Sequence, residues 1–576
     1  MISNYLKTSI HLGALSVLGF IKMTLFVLIA ISSLVTISSQ SESCESKIYC
    51  QGSLLHMVQM SRVFPDSKIF VDMKMQHDEK TTLENFDQFL KTTNSRPNRK
   101  EIKKFVNEHF KHFQEFDNWV PPDFTPKPDF LDRISDSEIR DFAQKVVKIW
   151  PRLARKIKKE VLESSEFFSL LPVPNGFVVP GGRFREFYYW DSYWIMKGLL
   201  LCQMHETVKG MLDNFALIIR KYGFLPNGAR VYYLNRSQPP LLSIMVGEYL
   251  KVTNDTEWLR KNIDILDKEL QYFLENKLTT VIKNGIKYSL AHYVANSDTP
   301  RPESYFEDIK SAKILKSEEA RAELWKDLKS AAESGWDFSS RWMVDYVGGT
   351  KTNLTHIQTR RIIPVDLNAF LCQAFQKLSE FYTILDDHKS AIFWLQKSHL
   401  WQQNLEQVFF DHMDGVWYDW DNGLNRPRKG YYASNLTPLW TQCYHPENSA
   451  YLGQKAVQYL SKNGILDFDG GIPASLINSG EQWDFPNAWP PLQSIVIFGL
   501  DRTGDFEAQK TAQDLAQKWI RSNLESFHET GQIFEKYNVQ YSGQSGRGGE
   551  YDVQHGFGWT NGVLFELINR YYTQEK

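Results

Sequence analysis

Pro180-Gly-Gly-Arg-Phe-Arg-Glu-Phe-Tyr-Tyr-Trp-Asp-Ser-Tyr-Trp194 is the stretch around which the rest of the chain is read. It opens on a Pro-Gly-Gly turn, where the backbone can approach a ligand because no Cβ intrudes. It then crowds Arg183, Glu186, Trp190 and Asp191 among six other aromatic residues. Charges interleaved with flat rings make a poor dry core, since buried charges need partners. They suit a sugar pocket, where CH faces lie on rings and hydroxyls meet forked donors and carboxylate acceptors. An aromatic helix start carrying a surface ion pair fits the same residues, and the stretch alone leaves both readings open.

Downstream the chain reads as helical segments joined by long loops rich in Gly, Pro and aromatics. Val365–Leu385 shows the period, with Leu367, Phe370, Leu371, Ala374, Leu378 and Phe381 recurring at three and four residues. Similar patterns predict helices over Ser192–Cys202, Glu206–Tyr222, Leu241–Leu250, Thr256–Asn276, Ala320–Ser334, Lys389–Phe409, Ser449–Ser461, Leu492–Leu500, Phe506–Glu525 and Thr560–Tyr572. Strands are few: a hairpin Thr279–Lys283/Ile286–Leu290 about Asn284-Gly285, and Val416–Trp420. Upstream, Asp136–Glu163 is helical in pattern, and its basic run Arg152–Lys159 reads as a solvated helix face. The expected organisation is an all-α domain over 131–576, preceded by a Pro-punctuated N-terminal arm over 42–130.

The loops carry the unusual chemistry. Leu225-Pro-Asn-Gly228 is a turn holding Asn227, and Asn235-Arg-Ser-Gln-Pro-Pro240 sets Arg236, Ser237 and Gln238 on non-helical backbone. Thr299-Pro-Arg-Pro-Glu-Ser-Tyr305 holds Arg301 and Glu303 between prolines. Each arginine alone reads as a loop-tethering salt bridge; together with Arg183 they suggest converging donors. In Glu333-Ser-Gly-Trp-Asp-Phe338, Asp337 lies between two aromatic residues, which can raise a carboxyl pKa by excluding water, though Asp is also a common helix cap. Gly480-Glu-Gln-Trp-Asp-Phe-Pro-Asn-Ala-Trp-Pro-Pro491 repeats the Trp-Asp pair. Glu535 in Ile533-Phe-Glu-Lys-Tyr537 and Glu550 in Gly546-Arg-Gly-Gly-Glu550 are ordinary loop carboxylates if taken singly. The glycine-rich stretch has neither the P-loop ending nor the dinucleotide fingerprint, and reads as a lid over a neutral ligand.

Together, from about Pro180 to Gly562, these segments resemble the trehalases, glycoside hydrolases that cleave the α,α-1,1 bond of trehalose. The resemblance implies an (α/α)6 toroid with an N-terminal extension, a deep pocket at one end, and hydrolysis with inversion to two glucose molecules without metal or cofactor. By motif, Asp337 looks like the general acid and Glu535 like the base. Arg183, Trp190, Asp191, Asn227, Arg236, Ser237, Gln238, Arg301, Glu303, Gly335 and Glu550 look like the sugar-binding shell. The chain departs from the family's Gly-Trp-Ala-Pro at Ala488-Trp-Pro-Pro491. If the glycine needs a positive φ, Ala488 is strained and Pro490 removes a donor, so an altered loop or lower activity is expected. A different α-glucoside as substrate, or a sugar-binding protein descended from an enzyme, are the competing readings; retention of both Asp337 and Glu535 disfavours the second.

Composition bounds the rest. A net charge of −2 offers no electrostatic footprint for nucleic acid or an anionic membrane, while 17 Trp suit a sugar cleft as well as a core. The apolar run Leu12–Ile37, broken by Lys22, reads as a signal peptide over 1–41, with an uncleaved signal anchor as the alternative. That predicts a secreted, extracellular protein with no further membrane span. Cys44 and Cys50 are close enough to pair, whereas Cys202, Cys372 and Cys443 read as buried thiols. Sequons at Asn235, Asn254, Asn353 and Asn435 fit the secretory route, and a glycan on Asn235 would block the pocket beside it.

Overall fold

The computed structural model describes residues 44–295, 297–344 and 353–573; the expected signal segment lies outside them. Cys44–Lys576 forms one compact unit. Its frame is twelve helices, labelled here in chain order: α1 (Ser137–Val147), α2 (Asp191–Leu201), α3 (His205–Tyr222), α4 (Leu242–Thr253), α5 (Thr256–Asn276), α6 (Val365–Ile384), α7 (His388–Asn404), α8 (Thr437–Thr441), α9 (Ser449–Lys462), α10 (Pro490–Asp501), α11 (Phe506–Thr530) and α12 (Gly558–Tyr571).

The even-numbered helices form a closed inner ring. Helix α2 packs on α4, α4 on α6, α6 on α8, α8 on α10, α10 on α12, and α12 returns to α2. The odd-numbered helices lie outside, with α3 on α2 and α4, α5 on α4 and α6, α7 on α6, α9 on α10, α11 on α10 and α12, and α1 on α12. The result is an (α/α)6 toroid. Composition explains the sorting. Inner helices such as Asp191–Leu201 and Pro490–Asp501 are apolar nearly all round and almost wholly buried, whereas α5 and α11 keep a polar face for water.

The ends of the helices differ as well. Asp136, Asp255, Asp387 and Asp505 cap the first turns of α1, α5, α7 and α11. No inner helix has such a side-chain cap. Their first-turn amides, with the positive end of each helix dipole, are left for the loops at that end of the ring.

Most of the expected elements are present within a few residues. The hairpin runs Leu278–Lys283 and Ile286–Ala291, with Asn284 and Gly285 both left-handed as its two-residue turn requires. Three expectations need correction. The basic run does not continue a helix: Ala154–Ile157 is the middle strand of a small sheet, paired with Phe116–Asn118 and Phe177–Val178. Ala154 and Ile157 are buried there while the charged pair between them is not, a pattern with neither helical nor strand period, so the strand is set by partners far away in sequence. Val416–Trp420 is two short strands with different partners. Cys372 and Cys443 are not thiols but a disulfide, because neighbouring α6 and α8 bring two cysteines 71 residues apart to a Cα separation of 6.3 Å. The Cys44–Cys50 pair forms as expected, and Cys202 is a buried thiol.

Residues before α1 include helices Ser53–Met60, Ser67–Val71, Glu79–Thr92 and Arg99–His109 around a small core of their own. That core takes in Tyr188, Tyr232, Tyr233 and Tyr305 from the loops of the toroid. Among the described residues, no helix is long and apolar enough to cross a membrane.

Candidate active site

The loops at the uncapped end of the inner ring surround an open pocket of about 660 Å³, the space continuous with solvent included. Trp190 and Asp191 enter it from the start of α2, Gln238 from just before α4, Trp489 from the residue preceding α10, and Phe557 and Trp559 from the start of α12. Asp337 comes from the loop after helix Glu318–Ser334, and Glu535 and Glu550 from the long connection between α11 and α12. Of the thirteen site residues expected from sequence, all but Ser237 line this cavity. Ser237 stands behind the wall: its amide donates to Glu333 Oε1 (2.9 Å) and its hydroxyl to the Leu225 carbonyl (2.6 Å).

Each lining group is held from behind. Arg301 donates to Asp308 and, through Nη2, to Glu550 Oε1 at 2.8 Å, while Ser304 Oγ donates to Glu550 Oε2 at 3.0 Å. Arg236 Nη2 pairs with Glu303 Oε1 at 2.5 Å. Gln238 Oε1 accepts from the Trp190 amide at 3.0 Å. Arg183 is gripped by Asp66 of the N-terminal segment, with Nε–Oδ2 at 2.9 Å and Nη2–Oδ1 at 2.8 Å. Gly335 ends its helix at φ 79°, and a Cβ there would lie 2.5 Å from the Trp190 ring, so both backbone and space demand glycine. Two buried wall atoms, Arg236 Nε and Glu303 Oε2, have no protein partner among the described residues.

The acid-bearing loop is clamped by the second Trp-Asp motif. Asp484 accepts from Ser339 Oγ (2.9 Å) and from the Ser340 amide (2.6 Å) and hydroxyl (2.8 Å). The Trp483 amide donates to the Phe338 carbonyl at 3.0 Å. Asp484 is therefore a support, not a reacting group. Trp483 and Trp489 stack at 4.0 Å, with Trp559 edge-on to Trp489 at 5.7 Å. The indole N–H groups of Trp489 and Trp559 satisfy loop carbonyls, those of Gln482 and Glu535 (3.0 Å for the second). The rings are left as flat apolar walls.

Five carboxyl groups line the cavity; burial pushes four of them up, while at Glu303 the charges of Arg236 and Arg301 outweigh burial and hold it low. Asp337 reaches about 7, with Arg301 opposing the shift and Glu550 adding to it. Asp191 lies well above the usual range through burial and the nearby charges of Glu535 and Asp337. Glu550 is raised by burial against the pull of Arg301. Glu535 is raised too, but Lys536 and the Tyr551 hydroxyl, which donates to Oε1 at 2.9 Å, restrain it. Asp337, at about 7, thus shares the cavity with Glu535, whose rise is opposed by the charge of Lys536 and by a hydrogen bond from Tyr551.

The cavity also has walls that sequence reasoning did not single out: Trp483, Trp489, Trp559, Tyr551, Tyr188 and Tyr233. The tryptophans were visible inside the quoted motifs, and weighing them as platforms instead of markers would have found them. Asp66 carries no such signal, since an isolated acid in a polar segment looks like any solvated residue. The expected strain at Ala488 does not occur. It takes no left-handed φ, pairs as a buried strand residue with Tyr537, and Pro490 stands at the first position of α10, where its missing N–H costs nothing.

A family model described as Trehalase matches residues 62–572. The chain is 58% identical over 499 residues to the trehalase of Tenebrio molitor, covering 87% of this chain and 90% of that protein. It is 46% identical over 493 residues to the trehalase of Homo sapiens, covering 85% and 83%. Among solved structures it is similar to neutral trehalase Nth1 from Saccharomyces cerevisiae, with a TM-score of 0.54 at 22% identity over 69% of this chain and 74% of that one. At that identity the likeness bears on the fold.

Proposed function

The chain belongs to the trehalase family, and on that footing we propose that it hydrolyses α,α-trehalose with inversion, Asp337 acting as general acid and Glu535 as general base. The observation that carries the assignment is the contrast between two carboxyls in one cavity, half-buried Asp337 at about 7 and buried Glu535, whose rise Lys536 and Tyr551 oppose. Protonated Asp337 donates its proton to the bridging oxygen as the C–O bond breaks. Ionised Glu535 takes a proton from the water that attacks the same anomeric carbon from the opposite face. Each cleavage gives one α- and one β-glucose. An inverting pair needs roughly 6.5–9.5 Å between carboxyls to admit that water, which acids from separate loops readily meet.

The binding shell divides between rings and forks. Trp190, Trp483, Trp489 and Trp559 offer faces to the sugars, while Arg183, Arg236 and Arg301 offer donors held in place by acids behind them. Little side-chain entropy remains to be lost on binding, so affinity goes into orienting the scissile bond. We place the enzyme outside the cell, on the apolar N-terminal run and two disulfides of the kind an oxidising compartment sustains. Asp337→Asn and Glu535→Gln test the roles: each should lower kcat on trehalose by about 10²–10⁴-fold without loss of fold. Wild-type turnover by either variant would remove that residue from the mechanism.

A further inference from the structure

Lys536 follows the base directly and is fully buried, yet it does not line the cavity. Its Nζ donates to Gln482 Oε1 at 2.8 Å and to the Gly548 carbonyl at 3.0 Å. Both acceptors are neutral. A buried ammonium ordinarily takes a carboxylate partner, and none of the described residues supplies one within ion-pair distance. The acids that act on the charge are Glu535 and Asp337, neither in direct contact with it. The Trp489 ring lies 4.9 Å from Nζ and that of Tyr551 5.8 Å.

The acceptors join three segments. Gln482 Nε2 donates to the Asp337 carbonyl at 2.5 Å, and the Gln482 carbonyl is anchored by Asn487 Nδ2 (2.9 Å) and Trp489 Nε1 (2.8 Å). Gly548 belongs to the glycine-rich loop at the cavity mouth, and the Gly546 amide donates back to the Lys536 carbonyl at 2.9 Å. One ammonium therefore ties the base-bearing segment to the acid-bearing loop, through Gln482, and to the glycine-rich loop directly.

We infer that Lys536 is a positioning residue that sets the placement of the general acid relative to the general base through Gln482, and that supplies the buried positive charge beside Glu535. The inference rests on the roles proposed for Asp337 and Glu535. Burial draws the ammonium down to about 8, with Glu535 and Asp337 pulling it back up, so the cation is retained at neutral pH because of the acids it serves. The titratable groups facing it are Glu535, Asp337 and Tyr551; Asp191 and Arg183 act on the same acids from the Pro180–Trp194 stretch.

The test compares kcat, KM and the pH profile of kcat/KM on trehalose for wild type, Lys536→Met and Gln482→Met in the full chain, with circular dichroism as the check on folding. Lys536→Met should lose about 10²-fold in kcat with little change in KM. Its acid limb should move upward by roughly one pH unit, because removing a cation favours protonated Glu535. Gln482→Met keeps the charge, so kcat should fall while the acid limb stays at its wild-type position. A folded Lys536→Met with wild-type kcat and acid limb overturns the inference, and wild-type kcat in Gln482→Met overturns the tie. Should Lys536→Met not fold, Lys536→Gln answers for the charge and Gln482→Met for the tie. Glu535→Gln run alongside separates the two levels: if it retains activity, the base assignment fails whatever the lysine variants do.

Discussion

Asp337 is costly to keep where it is. Burial raises its pKa from the ordinary 3.8 to about 7, so the folded chain holds a proton that the unfolded chain releases above pH 4. The folded state therefore binds more protons between those values, and stability falls as pH rises through that window. The ceiling on this term is about 4 kcal/mol at pH 8, from a little over three pKa units at 1.36 kcal/mol each. Asp337→Asn, never charged, should melt above wild type at pH 8, with the difference shrinking toward pH 4. Equal melting temperatures at pH 8, measured by differential scanning calorimetry, would mean that the acid is not desolvated. The sequence already suggested this environment, since Trp336 and Phe338 flank the aspartate. What flanking residues could not convey was the opposing Arg301, whose guanidinium lies 4.8 Å over the Phe338 ring and arrives from a loop 36 residues earlier.

At the scale of elements, the short helix Ser67–Val71 reaches the mouth of the cavity and does two tasks with neighbouring residues. Asp66 caps the helix by accepting from the Lys68 amide at 2.9 Å and also holds Arg183 in a forked pair. Lys68 meets the fully buried Glu186 at 2.8 Å, which explains why Glu186, in the quoted stretch, belongs to the support and not to the site. Asp66→Asn keeps an oxygen for the cap but removes the charge that orients Arg183. Steady-state kinetics should show KM for trehalose rising by about 10-fold, on the order of the 1–3 kcal/mol of a charge-assisted hydrogen bond, with kcat changed less. An unchanged KM would leave Arg183 without a need for its partner. Helices of this domain were legible because core-facing residues repeat along one segment at a time. The strand Ala154–Ile157 and the bond Cys372–Cys443 were not, because each depends on partners that only the closed ring brings together.

The whole molecule places function at one end of a ring. Six inner helices begin there without side-chain caps, so the loops between helices supply the partners, and those loops carry the acids, arginines and tryptophans. Sequence periodicity reached a mostly helical chain; the number of hairpins and the closure came from the family resemblance, since no local pattern encodes that α12 returns to α2. The same geometry sorts the glycosylation sequons. Asn254 and Asn353 are exposed, whereas Asn435 is buried with its amide donating to the Gly430 carbonyl and the Tyr459 hydroxyl, and Asn235 stands beside Arg236 in the wall. Peptide mapping of protein from a secretory host should find glycans on Asn254 and Asn353 and none on Asn235 or Asn435; an occupied Asn435 in active protein would contradict the packing of that loop. The most direct test of the account as a whole is proton NMR of the purified enzyme with trehalose, following the anomeric signals before mutarotation equilibrates them. Inversion by Asp337 and Glu535 predicts α- and β-glucose in equal amounts from the first turnovers, and exclusively α-glucose would contradict it.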